Sequence, residues 1–215
     1  MNHVSTLPTE SEGVIKYHLD YCPSGLTGDV SLDDLIAWRD ILFQLGLTGR
    51  DAKRYGGLAY GNVSTRLPGN NRFVISGTQT GGFPALQPEH FSIVQSFDLA
   101  NNRITASGPQ APSSEALTHA LIYQQRHEVN HVFHVHSPCL WNNAAVLKLP
   151  VTSPDARYGS PEMVAEVSRQ LLIHSGAKLI AMGGHQDGLI AFGTSSEEAA
   201  FVLIHQLARS RALKT

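Results

Sequence analysis

Apolar side chains between residues 31 and 46 recur at Leu35, Trp38, Ile41, Leu42 and Leu45, the period of an amphipathic helix. Ser31 stands where an N-cap is expected, with Asp34 at the position a capping box gives to Glu or Gln, and Gly46 is placed to end the helix. The pattern then changes to a period of two. Val63 to Arg66 and Phe73 to Ser76 read as strands joined by the turn Pro68-Gly69-Asn70-Asn71, and Phe91 to Phe97 and Arg103 to Ala106 as a second pair turned at Asn101-Asn102. Strand pairs joined by tight turns imply an antiparallel or mixed sheet. A helix opens at Pro112-Ser113-Ser114-Glu115 and runs to about Arg126, and Val129 to His136 reads as a strand. Ser160-Pro161-Glu162 starts a helix that ends near Gly176. Lys178 to Met182 and Gly188 to Phe192 read as strands flanking Gly183-Gly184-His185, and Thr194-Ser195-Ser196-Glu197 reads as a capping box before a last helix to about Arg209. Residues 1–30 lack periodicity and read as an irregular arm, and the glycine-rich stretch from Tyr55 to Asn62 reads as a loop. The expected organisation is therefore an arm over 1–30 and one α/β domain over 31–215.

Composition narrows the function classes. A chain of 215 residues with 42% hydrophobic content can bury one sizeable core. Its net charge of −2 offers no basic surplus for nucleic acid or an anionic membrane. No apolar run is long enough to span a bilayer. The polar, acidic stretch Met1 to Gly13 does not read as a signal peptide. Cys22 and Cys139 are isolated, which fits a cytoplasmic protein without structural disulfides. Histidine is the unusual component, at 11 residues against 16 Lys plus Arg.

The sharpest chemical feature is His134-Val135-His136. In a strand, residues i and i+2 share a face, so both imidazoles can reach one ion while Phe133 and Val135 point the other way. Taken alone, two such histidines could equally line a solvated sheet face. His131 falls on the opposite face and reads as structural. His185, in a Gly-Gly-His turn, would complete a three-histidine set with an open coordination position, the arrangement that catalysis needs and closed structural zinc sites lack. Glu115 lies at a helix start, where an acid can be a capping group or a proton carrier. His119 shares its helix face one turn on and reads as a structural or supporting residue. Asp187 either orients a ligand histidine or is an ordinary turn residue. Trp38 and Trp141 read as packing residues, Tyr158, near a helix start, as a structural residue that could also reach a site, and Cys139 as a small buried side chain. Imidazole donors suit zinc first, with manganese, cobalt or nickel as alternatives.

The ordered set Gly61-Asn62-Val63-Ser64, Pro112-Ser113-Ser114-Glu115, His134-Val135-His136-Ser137-Pro138 and His185 resembles the class II aldolase/adducin family, which includes fuculose-phosphate aldolase. The resemblance covers about residues 31–210. It implies a three-layer α/β/α sandwich around a mostly antiparallel central sheet, and a homotetramer. It implies that His134, His136 and His185 bind the metal and that Glu115 is the acid/base. It further implies that Asn62, Ser113, Ser114 and the turn holding Ser76, Gly77, Thr80 and Gly81 bind the substrate or its phosphate. The implied activity is lyase chemistry in carbohydrate metabolism: cleavage or formation of a C–C bond next to a carbonyl in a small, sugar-like hydroxy-carbonyl compound, phosphorylated or not. Dehydration or epimerisation at the same metal site is an alternative, as is a non-catalytic module like the adducin head. The stretch after His185 reads Gln186-Asp187-Gly188 where the family has His-Gly, and no lysine or arginine stands in the 76–82 turn.

Overall fold

The computed structural model describes residues 13–26, 31–69 and 71–213. Most of the arm (1–12 and 27–30) and Asn70 of the 68–71 turn lie outside the described residues. In chain order the elements are β1 (His18–Pro23), α1 (Asp33–Gln44), β2 (Gly49–Arg50), β3 (Ala59–Tyr60), β4 (Asn62–Arg66), β5 (Phe73–Ser76), β6 (Phe91–Asp98), β7 (Arg103–Gly108), α2 (Ala116–Gln125), β8 (His131–His136), α3 (Pro138–Asn142), α4 (Pro161–Ile173), β9 (Leu179–Ala181), β10 (Gly188–Gly193) and α5 (Ser196–Ala212).

Eight strands form one sheet in the order β1-β7-β6-β5-β4-β8-β10-β9, while β2 and β3 pair separately. Every pairing in the large sheet is antiparallel except β1 with β7. Alternation along the strands divides the core in two. Val63, Val74, Phe133 and Val135 pack with α1 and α5 through Leu35, Leu42, Leu203 and Leu207. Phe73, Ile75, Val132 and Ile190 pack with α2 and α4 through Ala120, Leu121, Met163 and Val167. The chain is thus a three-layer α/β/α sandwich with a mostly antiparallel sheet. No described helix is long and apolar enough to cross a membrane.

Several local expectations are corrected. The lead-in is not wholly irregular: β1 adds an edge strand paired in parallel to β7. Ser31 does not cap α1; the cap position is Leu32, without a side-chain bond, and Ser31 Oγ lies 3.5 Å from Asp33. Gly46 does end that helix, in a Schellman turn: its N–H reaches Phe43 O and the Leu47 N–H reaches Leu42 O. The final cap is displaced by one residue. Ser195, not Thr194, accepts from the Glu198 N–H, while the Glu198 carboxylate takes the Thr194 N–H and hydroxyl. The 55–62 stretch contains a turn of 3₁₀ helix over Tyr55–Gly57 and then β3, and α3 is a short helix capped by Ser137.

Candidate metal centre

β8 lies inside the sheet between β4 and β10 and brings His134 and His136 to the face covered by α2. Both side chains are fully buried, and their Nε2 atoms are 3.1 Å apart. A ring nitrogen of His185 joins them, and the three donor atoms lie within 4.8 Å of one another. Nitrogens bound at about 2.0–2.1 Å to one tetrahedral ion would be about 3.3 Å apart, so this donor set fits a divalent metal. The His134 Nδ1 lies 3.0 Å from Leu189 O. A carbonyl only accepts, so Nδ1 carries the proton and Nε2 presents its lone pair to the cluster. Burial, reinforced by the neighbouring histidines, holds His134 and His136 well below the ordinary imidazole range. Neutral rings are the form that ligates metal.

His185 is placed by close packing of glycine backbone. A Cβ on Gly183 would sit 2.2 Å from Thr152 O, and one on Gly184 1.9 Å from Ala156 O, so only glycines let this turn pack on the 152–156 segment. The Tyr158 ring then lies 4.9 Å from the His185 ring, and the Lys16 ammonium sits over that tyrosine, 3.8 Å from its centroid.

Glu115 is the N-cap residue of α2, one position earlier than a first-turn residue, and is 1% exposed. The Thr118 hydroxyl donates to its Oε2 at 3.0 Å, and its Oε1 lies 3.8 Å from His185 Nδ1. Tyr17 braces the turn in front of it by donating to Ser113 O at 2.9 Å. Burial, and then the Glu115 charge, push the Tyr17 hydroxyl up, so it stays a donor. The sequence gives no hint of this brace, because Tyr17 stands in the unpatterned lead-in.

Asn62 pairs directly with His134 across β4 and β8, which puts it on the same face, and its Oδ1 is buried with no partner among the described residues. Ser113 and Ser114 are buried just before Glu115, where Ser113 Oγ accepts the Glu115 N–H. The 76–82 turn is more self-contained than its composition suggests. Ser76 Oγ accepts from Val63 N–H, the Gly77 N–H is donated to His90 O, and Thr80 Oγ1 is donated to Gly77 O. Arg39 lies buried beneath it, donating to the carbonyls of Thr80 and Gly81.

His119 is fully buried with Nδ1 2.8 Å from Ser64 Oγ, which in turn meets Tyr123 Oη at 2.7 Å. His131 faces the other layer, where its neighbouring charge is Asp34 of α1. Trp38 and Trp141 pack on the α1/α5 core. Cys139, half-buried rather than buried, contacts Ser210. Among the described residues the Asp187 carboxylate holds no histidine. It is a left-handed turn residue (φ 64°) whose Oδ2 accepts from Tyr55 Oη at 2.7 Å and lies 3.6 Å from Arg54. The Tyr55 ring stands edge-on to His136 at 4.7 Å and Tyr60 lies 5.4 Å away. Of this Arg54-Tyr55-Tyr60-Asp187 wall, Asp187 is noted in the sequence, in its turn reading, while Arg54, Tyr55 and Tyr60 are not singled out there.

The model of the Class II Aldolase and Adducin N-terminal domain matches residues 49–210. Among solved structures, L-fuculose-1-phosphate aldolase from Thermus thermophilus superposes with a TM-score of 0.61 at 18% identity, covering 83% of this chain and 89% of that one. A sugar-phosphate aldolase from Thermotoga maritima gives 0.64 at 16% identity, covering 83% and 91%. The N-terminal class II aldolase domain of a conserved Thermoplasma acidophilum protein gives 0.56 at 14% identity, covering 88% and 96%. A search of curated proteins finds no match.

Proposed function

We propose, from the premise that this chain belongs to the class II aldolase and adducin family, that it is a metal-dependent lyase. It cleaves or forms a C–C bond next to a carbonyl in a small hydroxy-carbonyl compound, as a homo-oligomer, a tetramer. The observation that carries this reading is the burial of three converging histidines against one carboxylate, His134, His136, His185 and Glu115. A purely structural module has no need to remove four such polar groups from water, which is costly unless something binds between them.

His134, His136 and His185 hold the ion, zinc by the choice of donors. When bound, a divalent ion supplies Lewis-acid stabilisation of negative charge that develops on a carbonyl oxygen. Retro-aldol cleavage removes the proton of a hydroxyl β to the carbonyl, converts that carbinol to an aldehyde, and leaves the bonding pair on the carbon next to the carbonyl. That carbon then takes up a proton. Glu115 moves the proton at Oε1, the oxygen that faces His185, while the Thr118 hydroxyl holds Oε2 in place. Asn62 contributes its buried Oδ1, and Ser113 and Ser114 contribute the helix-start turn, to binding the substrate. The burial of all these groups keeps bulk water away from the reacting carbon.

The test is proton NMR of products from a panel of hydroxy-carbonyl compounds, with zinc-loaded wild type beside Glu115→Gln. Two fragments from one substrate, lost on chelation and lowered about 10²–10⁴-fold in the variant, is the expected result. A product with its carbon skeleton intact would assign dehydration or epimerisation instead. Full turnover by metal-free protein would overturn the reading.

A further inference from the structure

The 76–82 turn offers an anion few donors, because the Thr80 hydroxyl and the N–H groups of Gly77 and Thr78 are donated within the fold, and Ser76 Oγ already accepts from Val63 N–H. The arginine beneath it, Arg39, is 1% exposed and bound to backbone carbonyls. A different cation stands beside the histidines. Arg54 lies over the rings of Tyr55 and Tyr60, at 4.7 and 5.5 Å. Those two rings both lie against His136. Its charge is near enough to that histidine to disfavour protonation of the ring.

Arg54 is also only partly committed. A guanidinium has five N–H donors in a fixed fork. One nitrogen, Nη2, donates to Tyr55 Oη, and the same nitrogen is 3.6 Å from Asp187 Oδ2, an ion pair longer than a hydrogen bond. Nε and Nη1 make no hydrogen bond to the described residues. The side chain is 31% exposed, whereas Asp187, Tyr60 and the three histidines are all below a tenth. The two tyrosines hold the guanidinium plane in position, so little side-chain freedom remains to be lost on binding. A pre-oriented fork with unengaged N–H groups, on the solvent side of a buried reaction centre, is built for a carboxylate or phosphate.

We infer that Arg54 binds the anionic end of the substrate, a carboxylate or a phosphate, and so selects acidic compounds for the histidine centre; this rests on the metal-centre reading above. Asp187 and Tyr55 hold the fork in place until the anion arrives.

The test uses three hydroxamates that share one bidentate head: acetohydroxamate, which is neutral, malonic monohydroxamate, with a carboxylate, and phosphonoacetohydroxamate, with a phosphonate. Their binding to zinc-loaded protein is measured by calorimetry for wild type, Arg54→Gln and Arg54→Met. Methionine keeps apolar cover on the two tyrosines and serves if the glutamine variant fails to fold. In wild type one of the acidic compounds binds about 10–100-fold more tightly than acetohydroxamate, and the preferred one tells carboxylate from phosphate. In the variants this ratio falls to near one while acetohydroxamate binding is retained. An undiminished ratio in the folded variants, or no acidic preference in wild type, overturns the assignment of Arg54 alone. Failure of acetohydroxamate itself to bind zinc-loaded wild type overturns the metal-centre reading and this inference with it.

Discussion

The phenol of Tyr55 and the carboxylate of Asp187 meet at 2.7 Å across 132 residues of chain. The contact ties the segment before β3 to the turn that carries His185. The backbone of Asp187 extends the link, since its carbonyl accepts from the N–H of Ser137, the residue after His136. Tyr55→Phe keeps the ring against His136 but leaves the Asp187 carboxylate, 6% exposed, with Arg54 alone. Removing one partner from a buried polar pair costs about 1–3 kcal/mol. The expected result is a lower unfolding midpoint in denaturant at unchanged m-value, with zinc stoichiometry intact. Unchanged stability would mean that water replaces the phenol without loss.

That contact was not legible in the sequence, and the reason is physical. Tyr55 opens a single turn of 3₁₀ helix and Asp187 sits in a loop, both with left-handed backbone and in stretches too short for a periodicity to show. Their contact depends on long-range pairing such as that of β8 with β10, which no local pattern encodes. The histidine pair was legible because a strand's period of two fixes its geometry locally. Helices α4 and α5 announced themselves through Ser-led caps and polar outer faces. β1 did not, because His18 to Pro23 forms an exposed edge strand whose identity comes from pairing with β7. The start of α5 shifted by one residue because Thr194, Ser195 and Ser196 offer adjacent hydroxyl caps and Ser195 is the one used, whereas α1 starts after the apolar Leu32 with no side-chain cap at all.

The 3.1 Å separation of the His134 and His136 Nε2 atoms leads to a stoichiometric expectation. Protein purified without chelator, or reloaded by dialysis, holds about one zinc per chain by elemental analysis. Metal that binds only the folded state adds about 4 kcal/mol of stability when its free concentration is 1,000 times Kd. The melting temperature therefore rises on zinc addition in wild type and stays flat in His136→Ala. Stoichiometric zinc in that variant would place the ion elsewhere.

Backbone packing at Gly184 gives a second route to the same centre. An alanine there would set its Cβ 1.9 Å from the Ala156 carbonyl oxygen, and backbone on both sides leaves the turn itself as the part that moves. His185 is the next residue. Gly184→Ala is expected to lower stability by about 2–4 kcal/mol and to weaken zinc binding by an order of magnitude or more, although no ligand is changed. Gly176→Ala, where an added Cβ meets nothing within 4 Å, is the control and leaves both unchanged. Normal zinc affinity in a folded Gly184→Ala would show that His185 is not positioned by this contact.

Acid stability depends on His119. Burial holds its pKa down at about 3, against 6.5 for an exposed imidazole. Below pH 6.5 the unfolded chain takes up a proton that the folded chain refuses, so stability is complete above that pH and declines as pH falls toward 3. Between pH 7 and pH 5 this single group removes about 2 kcal/mol. His134 and His136 add losses of the same sign in metal-free protein, since burial holds them low as well. Urea unfolding in the presence of EDTA, with wild type beside His119→Gln, reads the contribution of His119 together with the smaller part it adds to the lowering of His134, whose main cause is burial in both proteins. The variant has a lower plateau at pH 7, since Ser64 loses the Nδ1 contact. Its stability should nevertheless fall by about 2 kcal/mol less than that of wild type on going to pH 5. Parallel pH profiles would mean that His119 accepts a proton inside the native fold.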